Sequence, residues 1–261
     1  MTFDSVDLSG STYGLTLEGV SGTIGASART DITEIPFGYG GTSRDGGYRP
    51  RNITANCKII GSSTSNLMTK LDALKLLLDG VGHGERSLII DGQTDRYWLV
   101  RSIGQIDGHF VGDAAYQAEL RFVASDSRAY STTARTTPDF SITGGIQTKT
   151  IESATVIPGT TYTDPVWTFT VAGSHTALKM ENLTTGETLN WTGTLSAGHL
   201  LKVDSALWRV SKSTDSGTTY VDSMTNVTGA FPRLVQGVQN SVRVTGMAST
   251  TMALTYRARY L

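Results

Sequence analysis

The residues able to do chemistry are few and scattered. The four imidazoles are His83, His109, His175 and His199. Histidine is the side chain best suited to proton transfer and metal ligation. No two of the four share a helical turn or a hairpin, so they read as surface or packing residues. Cys57 is the single cysteine of the chain, which excludes an intramolecular disulfide and a Cys-rich zinc site. In Asn52-Ile-Thr-Ala-Asn-Cys-Lys-Ile-Ile60 it shares strand parity with Ile53, Ala55 and Ile59. That predicts a small buried side chain and not a nucleophile. No Gly-x-Ser-x-Gly elbow marks a serine hydrolase. No Gly-x-x-x-x-Gly-Lys-Ser/Thr occurs, and the Gly-rich run 38–47 leads into a strand, whereas a phosphate cradle needs a helix N-terminus. Asp91 and Asp95 could mimic a glycosidase pair, but they flank a predicted hairpin turn, where Asp serves local backbone hydrogen bonds. Tyr97, Trp98 and Arg101 could suggest a nucleic-acid surface, yet Tyr97 and Trp98 point to opposite faces of a strand. Four Asn-x-Ser/Thr sequons, at Asn52, Asn182, Asn190 and Asn226, carry little weight in so Thr-rich a chain. The expectation is a protein without enzymatic chemistry, cofactor or metal.

Composition describes the scaffold that must carry any site. The chain has 261 residues, 29 Gly, 17% charged residues and a net charge of −1. Roughly a quarter of it is Ser or Thr. Charge below the usual ~25% argues against long Lys/Glu-rich helices, and abundant Thr, Val, Gly and Tyr suit short strands and tight turns. A net charge near zero argues against non-specific nucleic-acid binding. No apolar run of about 18 residues is present, so no transmembrane helix is expected. Met1-Thr-Phe-Asp-Ser-Val-Asp7 is acidic and lacks an apolar core, so it does not read as a secretory signal.

The first half mixes strands with one helix. Tyr13, Leu15 and Leu17 alternate in a short strand. Residues 36–51 hold five Gly and two Pro, which predicts a long glycine-rich loop and not a strand or helix interior. Phe37, Tyr39 and Tyr48 are its aromatic anchors. Leu67, Leu71, Leu74 and Leu78 at i, i+4, i+7, i+11 make one helical face over 63–78, with Ser and Asn N-cap candidates at 63–66 and Gly80 as a stop. Ser87–Ile90 and Arg96–Ser102 read as a hairpin turning at Asp91-Gly92. In 114–125, Tyr116, Ala118, Leu120 and Phe122 face one way and Gln117, Glu119 and Arg121 the other, giving one buried and one wet or interface face.

Residues 126–165 lose periodicity and read as a linker with one or two short strands in 147–156; the domain boundary falls near residue 135, giving domains 1–135 and 136–261. The second half is strand after strand: 166–171, 177–183, 188–191, 200–203, 207–211, 233–235, 241–245 and 251–260. Turn signals recur at the 8–12-residue spacing of a β-sandwich. Trp167, Trp191 and Trp208 lie there. Buried Trp is the ordinary state of a sandwich core, whereas an exposed ring, with Trp191 the candidate, would offer a sugar-stacking surface.

Asn66–Leu78 followed by Arg86-Ser-Leu-Ile-Ile-Asp-Gly-Gln-Thr-Asp-Arg-Tyr-Trp-Leu-Val100 resembles the N-terminal domain of phage distal tail proteins, hub components at the tail tip of long-tailed, non-contractile phages. Ile157-Pro-Gly-Thr-Thr-Tyr-Thr-Asp-Pro-Val166, Leu183-Thr-Thr-Gly-Glu-Thr-Leu189, Leu234-Val-Gln-Gly-Val-Gln-Asn240 and Tyr256-Arg-Ala-Arg-Tyr260 resemble later signatures of that family, in the same order. Gln239 departs from a tighter Gly-x-Asn turn. The resemblance implies a mainly β protein: an N-terminal sandwich- or barrel-like domain with one helix, then a galectin-like C-terminal sandwich. It implies a structural virion protein at the tail tip, made in the host cytoplasm. A homohexameric ring would join the tail tube protein to a tail-associated adhesin, with receptor-binding protein or saccharide as further partners. Assembly contacts are then expected from Phe37, Tyr39, Tyr48, Arg49 and Arg51 of the arm and from Gln117, Glu119 and Arg121 of the polar strand face. The alternative is a carbohydrate-binding sandwich module using Trp191.

Overall fold

The computed structural model describes residues 1–25, 27–34, 41–79, 83–151 and 156–261, without the side chains of 28–34, 41–47, 104 and 105. The protein is mainly β, with one α-helix among the described residues. It divides into two compact units, Met1–Thr132 with Leu261, and Thr133–Tyr260.

The first unit is built on an antiparallel sheet ordered Val6–Asp7, Thr2–Phe3, Arg86–Ile89, Arg96–Phe110, Ala115–Ala124, Arg51–Ile60, Leu15–Ser21. Alternation sets its faces. Ile53, Ala55, Cys57 and Ile59 are buried from the strand Arg51–Ile60, and Ala118, Leu120, Phe122 and Ala124 from its neighbour. The helix Thr64–Leu78 lies on this sheet and buries Leu67, Leu71, Leu74 and Leu78. Ser63 caps it, its hydroxyl accepting from the Asn66 amide at 3.2 Å, while the Asn66 side chain accepts from the Ser62 amide at 3.1 Å. At the other end Arg86 donates to the carbonyls of Leu77 and Asp79 at 2.8 and 3.2 Å, satisfying last-turn acceptors. Gly80, the sequence-predicted stop, lies outside the described residues. The hairpin strand from Arg96 continues to Phe110, eight residues beyond Ser102, with a register irregularity between Ser102 and Ile106. Gly92, at φ +86°, occupies its tight turn. Tyr13 precedes its predicted strand, which begins at Leu15.

The glycine-rich loop expectation is corrected over Gly41–Tyr48, which is a β-strand paired antiparallel with Ala28–Glu34 from Ala28↔Tyr48 to Glu34↔Gly41. Ladder bonds are made by backbone groups, which glycine supplies as well as any residue. The partner strand carries β-branched Thr30, Ile32 and Thr33, which favour the extended state. The ribbon is a two-stranded sheet of its own.

The second unit is a two-sheet sandwich. One sheet runs Arg135–Ile142, Thr250–Tyr256, Val166–Val171, Leu200–Asp204, Arg209–Ser213, Val221–Asp222, and the other Ile146–Ile151, Asn240–Thr245, His175–Asn182, Glu187–Leu195, Val227–Gly229. Trp167, Phe169, Leu201 and Met252 of the first meet Leu178, Met180, Leu189, Trp191 and Val244 of the second in one core cluster. The linker expectation is corrected as well: Arg135–Ile142 and Ile146–Ile151 are the outer strands of the two sheets, burying Ile142 and Ile151. Edge strands tolerate Ser, Thr and Pro, and Pro138 falls where the register slips between Thr137 and Phe140.

Candidate functional site

Gln117, Glu119 and Arg121 are brought together on the wet face of Ala115–Ala124. Arg121 Nε donates to Glu119 at 2.6 Å, and its guanidinium lies 3.6 Å from Asp107 on the adjacent strand. Glu119, first through that hydrogen bond and then through its charge, raises the Arg121 pKa. The Gln117 amide donates to Glu18 at 3.1 Å. Asn56, Asp107, Gly108, His109, Gln117, Ala118 and Glu119 line a shallow cavity of about 260 Å³. Gly108 is required there: a Cβ would stand 2.0 Å from the Gln117 carbonyl oxygen. Sequence reading missed Glu18, Asn56, Asp107 and His109, which reach this face only through strand pairing. The face is polar and charge-paired.

Tyr48 and Arg49 are exposed at the foot of the ribbon, where the Arg49 amide donates to the Ser27 carbonyl at 2.9 Å. Phe37 and Tyr39 lie outside the described residues. Arg51 is corrected as an interface candidate: it is buried and donates to the Thr23 carbonyl at 2.9 Å. Burial lowers its pKa, with the Asp126 charge opposing.

Trp191 is corrected likewise. It is 1% exposed, and its indole N–H donates to the Ser223 hydroxyl at 2.9 Å inside the sandwich, so it presents no face to a sugar. Leu189, two residues before it, is buried on the same face. Trp208 is the exposed ring, at 68%. It ends the four-residue turn between Leu200–Asp204 and Arg209–Ser213, at φ +51°. Beside it Glu187, Ser205, Ala230, Phe231 and Arg233 complete a cavity of about 200 Å³. The strand expected over 207–211 is corrected: it is Arg209–Ser213, and Trp208 lies in the turn before it; nothing in the sequence signals the Glu187–Arg233 pairing. Among the described residues no three His, Cys, Asp or Glu side chains are grouped to hold a metal ion, and no helix is long and apolar enough to cross a membrane.

Residues 158–260, the sandwich from the strand Val166–Val171 onward without Arg135–Ile142 and Ile146–Ile151, match the family model described as siphovirus-type tail component, C-terminal domain. In that part the chain is similar to the C-terminal domain of siphovirus-type tail components. Its fold is similar over its full length to the crystal structure of the phage SPP1 Dit protein (gp 19.1), described as a paradigm of the hub adsorption apparatus in phages infecting Gram-positive hosts. The TM-score is 0.75 at 16% identity, covering 100% of this chain and 98% of that one. A weaker likeness, TM-score 0.48 at 9% identity over 92% and 90% of the two chains, is to the phage P2 baseplate in its activated conformation with Ca. Comparison with curated proteins returned no match.

Proposed function

We propose that this chain is a structural phage tail protein of the distal-tail type, at the tail tip of the virion, that it assembles through residues 1–135 into a homohexameric ring, a hub joining the tail tube protein to the adhesion apparatus, and that it acts without enzymatic chemistry. Residues 136–261 would then form the outward, galectin-like sandwich. The observation that carries the reading is the full-length likeness in fold to a protein described as a hub. The ribbon Ala28–Glu34/Gly41–Tyr48 supports it. A two-stranded hairpin is marginal alone, and its outer edges pair with no other strand among the described residues. Unpaired edges of that kind are templates for a neighbouring chain. Tyr48 and Arg49 at its foot, and the Gln117–Glu119–Arg121 face, supply further contacts to neighbouring subunits or to the channel. A net charge of −1 suits a channel that DNA must cross without being held on its phosphates.

Light scattering on the purified chain tests the reading. The expected mass is about six times the 27.9 kDa of one chain. Replacing residues 28–48 by a short Gly-Ser linker is expected to yield smaller species with an intact sandwich. A monomeric parent chain, or an unchanged ring after the replacement, would overturn the assignment.

A further inference from the structure

Trp208 is held where physical chemistry disfavours it. A bulky residue in the left-handed region is a genuine outlier, and glycine is the default occupant of such a turn position. Strain of this kind persists only where the surroundings enforce it, and it concentrates at ligand clamps. The turn is enforced. The Asp204 carboxylate accepts from the amides of Ala206 and Leu207, both at 3.1 Å, and the buried Ser205 hydroxyl donates to the Pro232 carbonyl at 2.9 Å. That last bond ties the Trp208 turn to the segment carrying Phe231 and Arg233. Phe231 lies 6.0 Å from the Trp208 ring, tilted by 41°, and backs the cavity. In the same lining Glu187 fixes Arg233: Oε1 accepts from Nε and Oε2 from the backbone amide, at 2.6 and 2.7 Å, and Thr185 donates to Oε2 at 3.0 Å. Tyr162 stacks under the guanidinium at 4.7 Å, whose side chain stays 45% exposed. An exposed aromatic platform and an immobilised hydrogen-bond donor thus face one small cavity.

We propose that this corner binds a single hexopyranose ring. Such a sugar has one face of electropositive C–H groups, which match the negative face of an indole, and a rim of hydroxyls, which accept charge-assisted hydrogen bonds from an arginine held in place. The cavity of about 200 Å³ is smaller than drug-sized sites and suits one ring. A protein partner would need on the order of 800 Å² on this side alone. The site is independent of ring assembly and would give the tail tip a weak contact with surface saccharide, strengthened by repetition around a ring.

Indole emission provides the assay. Trp98, Trp167 and Trp191 are at most 1% exposed, so iodide quenching reports Trp208. The full chain is titrated with methyl β-galactopyranoside, methyl β-glucopyranoside and N-acetylglucosamine. At least one is expected to protect Trp208 from iodide, with a Kd on the order of 1 mM, as suits so few contacts. Trp208→Ala is expected to abolish calorimetric binding and Arg233→Lys to weaken it at least tenfold, with oligomeric mass unchanged in both. The proposal is overturned if none of the three protects Trp208 well above that concentration. Equal binding to the Trp208→Ala variant overturns it too, as does a loss of self-association in that variant, which would make the corner a protein contact.

Discussion

Asn240 is wholly buried at the start of the strand Asn240–Thr245, and its amide closes the loop 234–239 onto the sandwich. Its Oδ1 accepts from the Val235 amide at 2.9 Å, and its Nδ2 donates to the carbonyls of Val235 and Val238 at 2.8 and 3.3 Å. Asn182, also wholly buried, donates to Asn240 Oδ1 at 3.3 Å and to the Arg233 carbonyl, and accepts from the Thr184 amide at 2.9 Å. Asn240→Ala orphans both backbone groups of Val235, while the exposed Val238 carbonyl can turn to water. An orphaned buried polar group costs about 1–3 kcal/mol. Val235 is half-buried, so the lower half of that range applies twice, for a loss of about 2–4 kcal/mol. At about 4 °C per kcal/mol for a unit of this size, the melting temperature should fall by roughly 10 °C. Urea unfolding followed by tryptophan emission measures the free-energy loss and a thermal scan the shift, since Trp167, Trp191 and Trp208 all lie in the second unit. Ser241→Ala, next in the chain with only backbone atoms bonded, is the control, expected within about 0.5 kcal/mol of the parent. A loss below about 1 kcal/mol for Asn240→Ala, or an equal loss for the control, would refute the claim that this amide fastens the loop. Asn182, bonded to Asn240, also holds the Arg233 carbonyl, so Asn240→Ala should also weaken any ligand held at Trp208.

Two further outcomes follow from ionisable groups. Hydrogen bonds from Arg243 and then Lys179 lower the Glu181 carboxyl from 4.5 to about 2, and the Ser213 hydroxyl and Thr219 amide lower Asp215 from 3.8 to about 2. A depressed carboxyl contributes stability that is present above its unfolded value and lost as pH falls toward its folded one. Stability should therefore decline from about pH 4.5 to about pH 2, and chemical denaturation across that range should show a flatter profile for Glu181→Gln. Burial, reinforced by Glu18, raises the Cys57 thiol to about 12; it should remain unreacted with a thiol-specific reagent at pH 8 in native buffer and react fully in denaturant, and native labelling would show that the Arg51–Ile60 strand opens.

What sequence disclosed, and what it hid, divides along the range of the interactions involved. The helix, the Cys57 face and the two faces of Ala115–Ala124 were legible because burial imposes a period on neighbouring residues. The Gly41–Tyr48 strand was hidden because glycine leaves no period, and its extended state depends on a partner ending seven residues earlier, at Glu34. The edge strands 135–142 and 146–151 were hidden because each buries little, so their Ser and Thr mimic a linker. Arg51 looked like part of a charged arm because its burial depends on the carbonyl of Thr23, 28 residues away. The Trp208 corner shows the limit most clearly. Asp204 and Ser205 announce a turn, but the carboxylate that orients Arg233 comes from Glu187, 46 positions before it, on a strand of the opposite sheet. Hydrophobic period identifies what a sandwich must bury; it is silent on what the turns at its ends bring together. Recognition in such a protein therefore has to be sought where local propensity is violated without a core to explain it, and among the described residues Trp208, bulky, exposed and left-handed, meets that description.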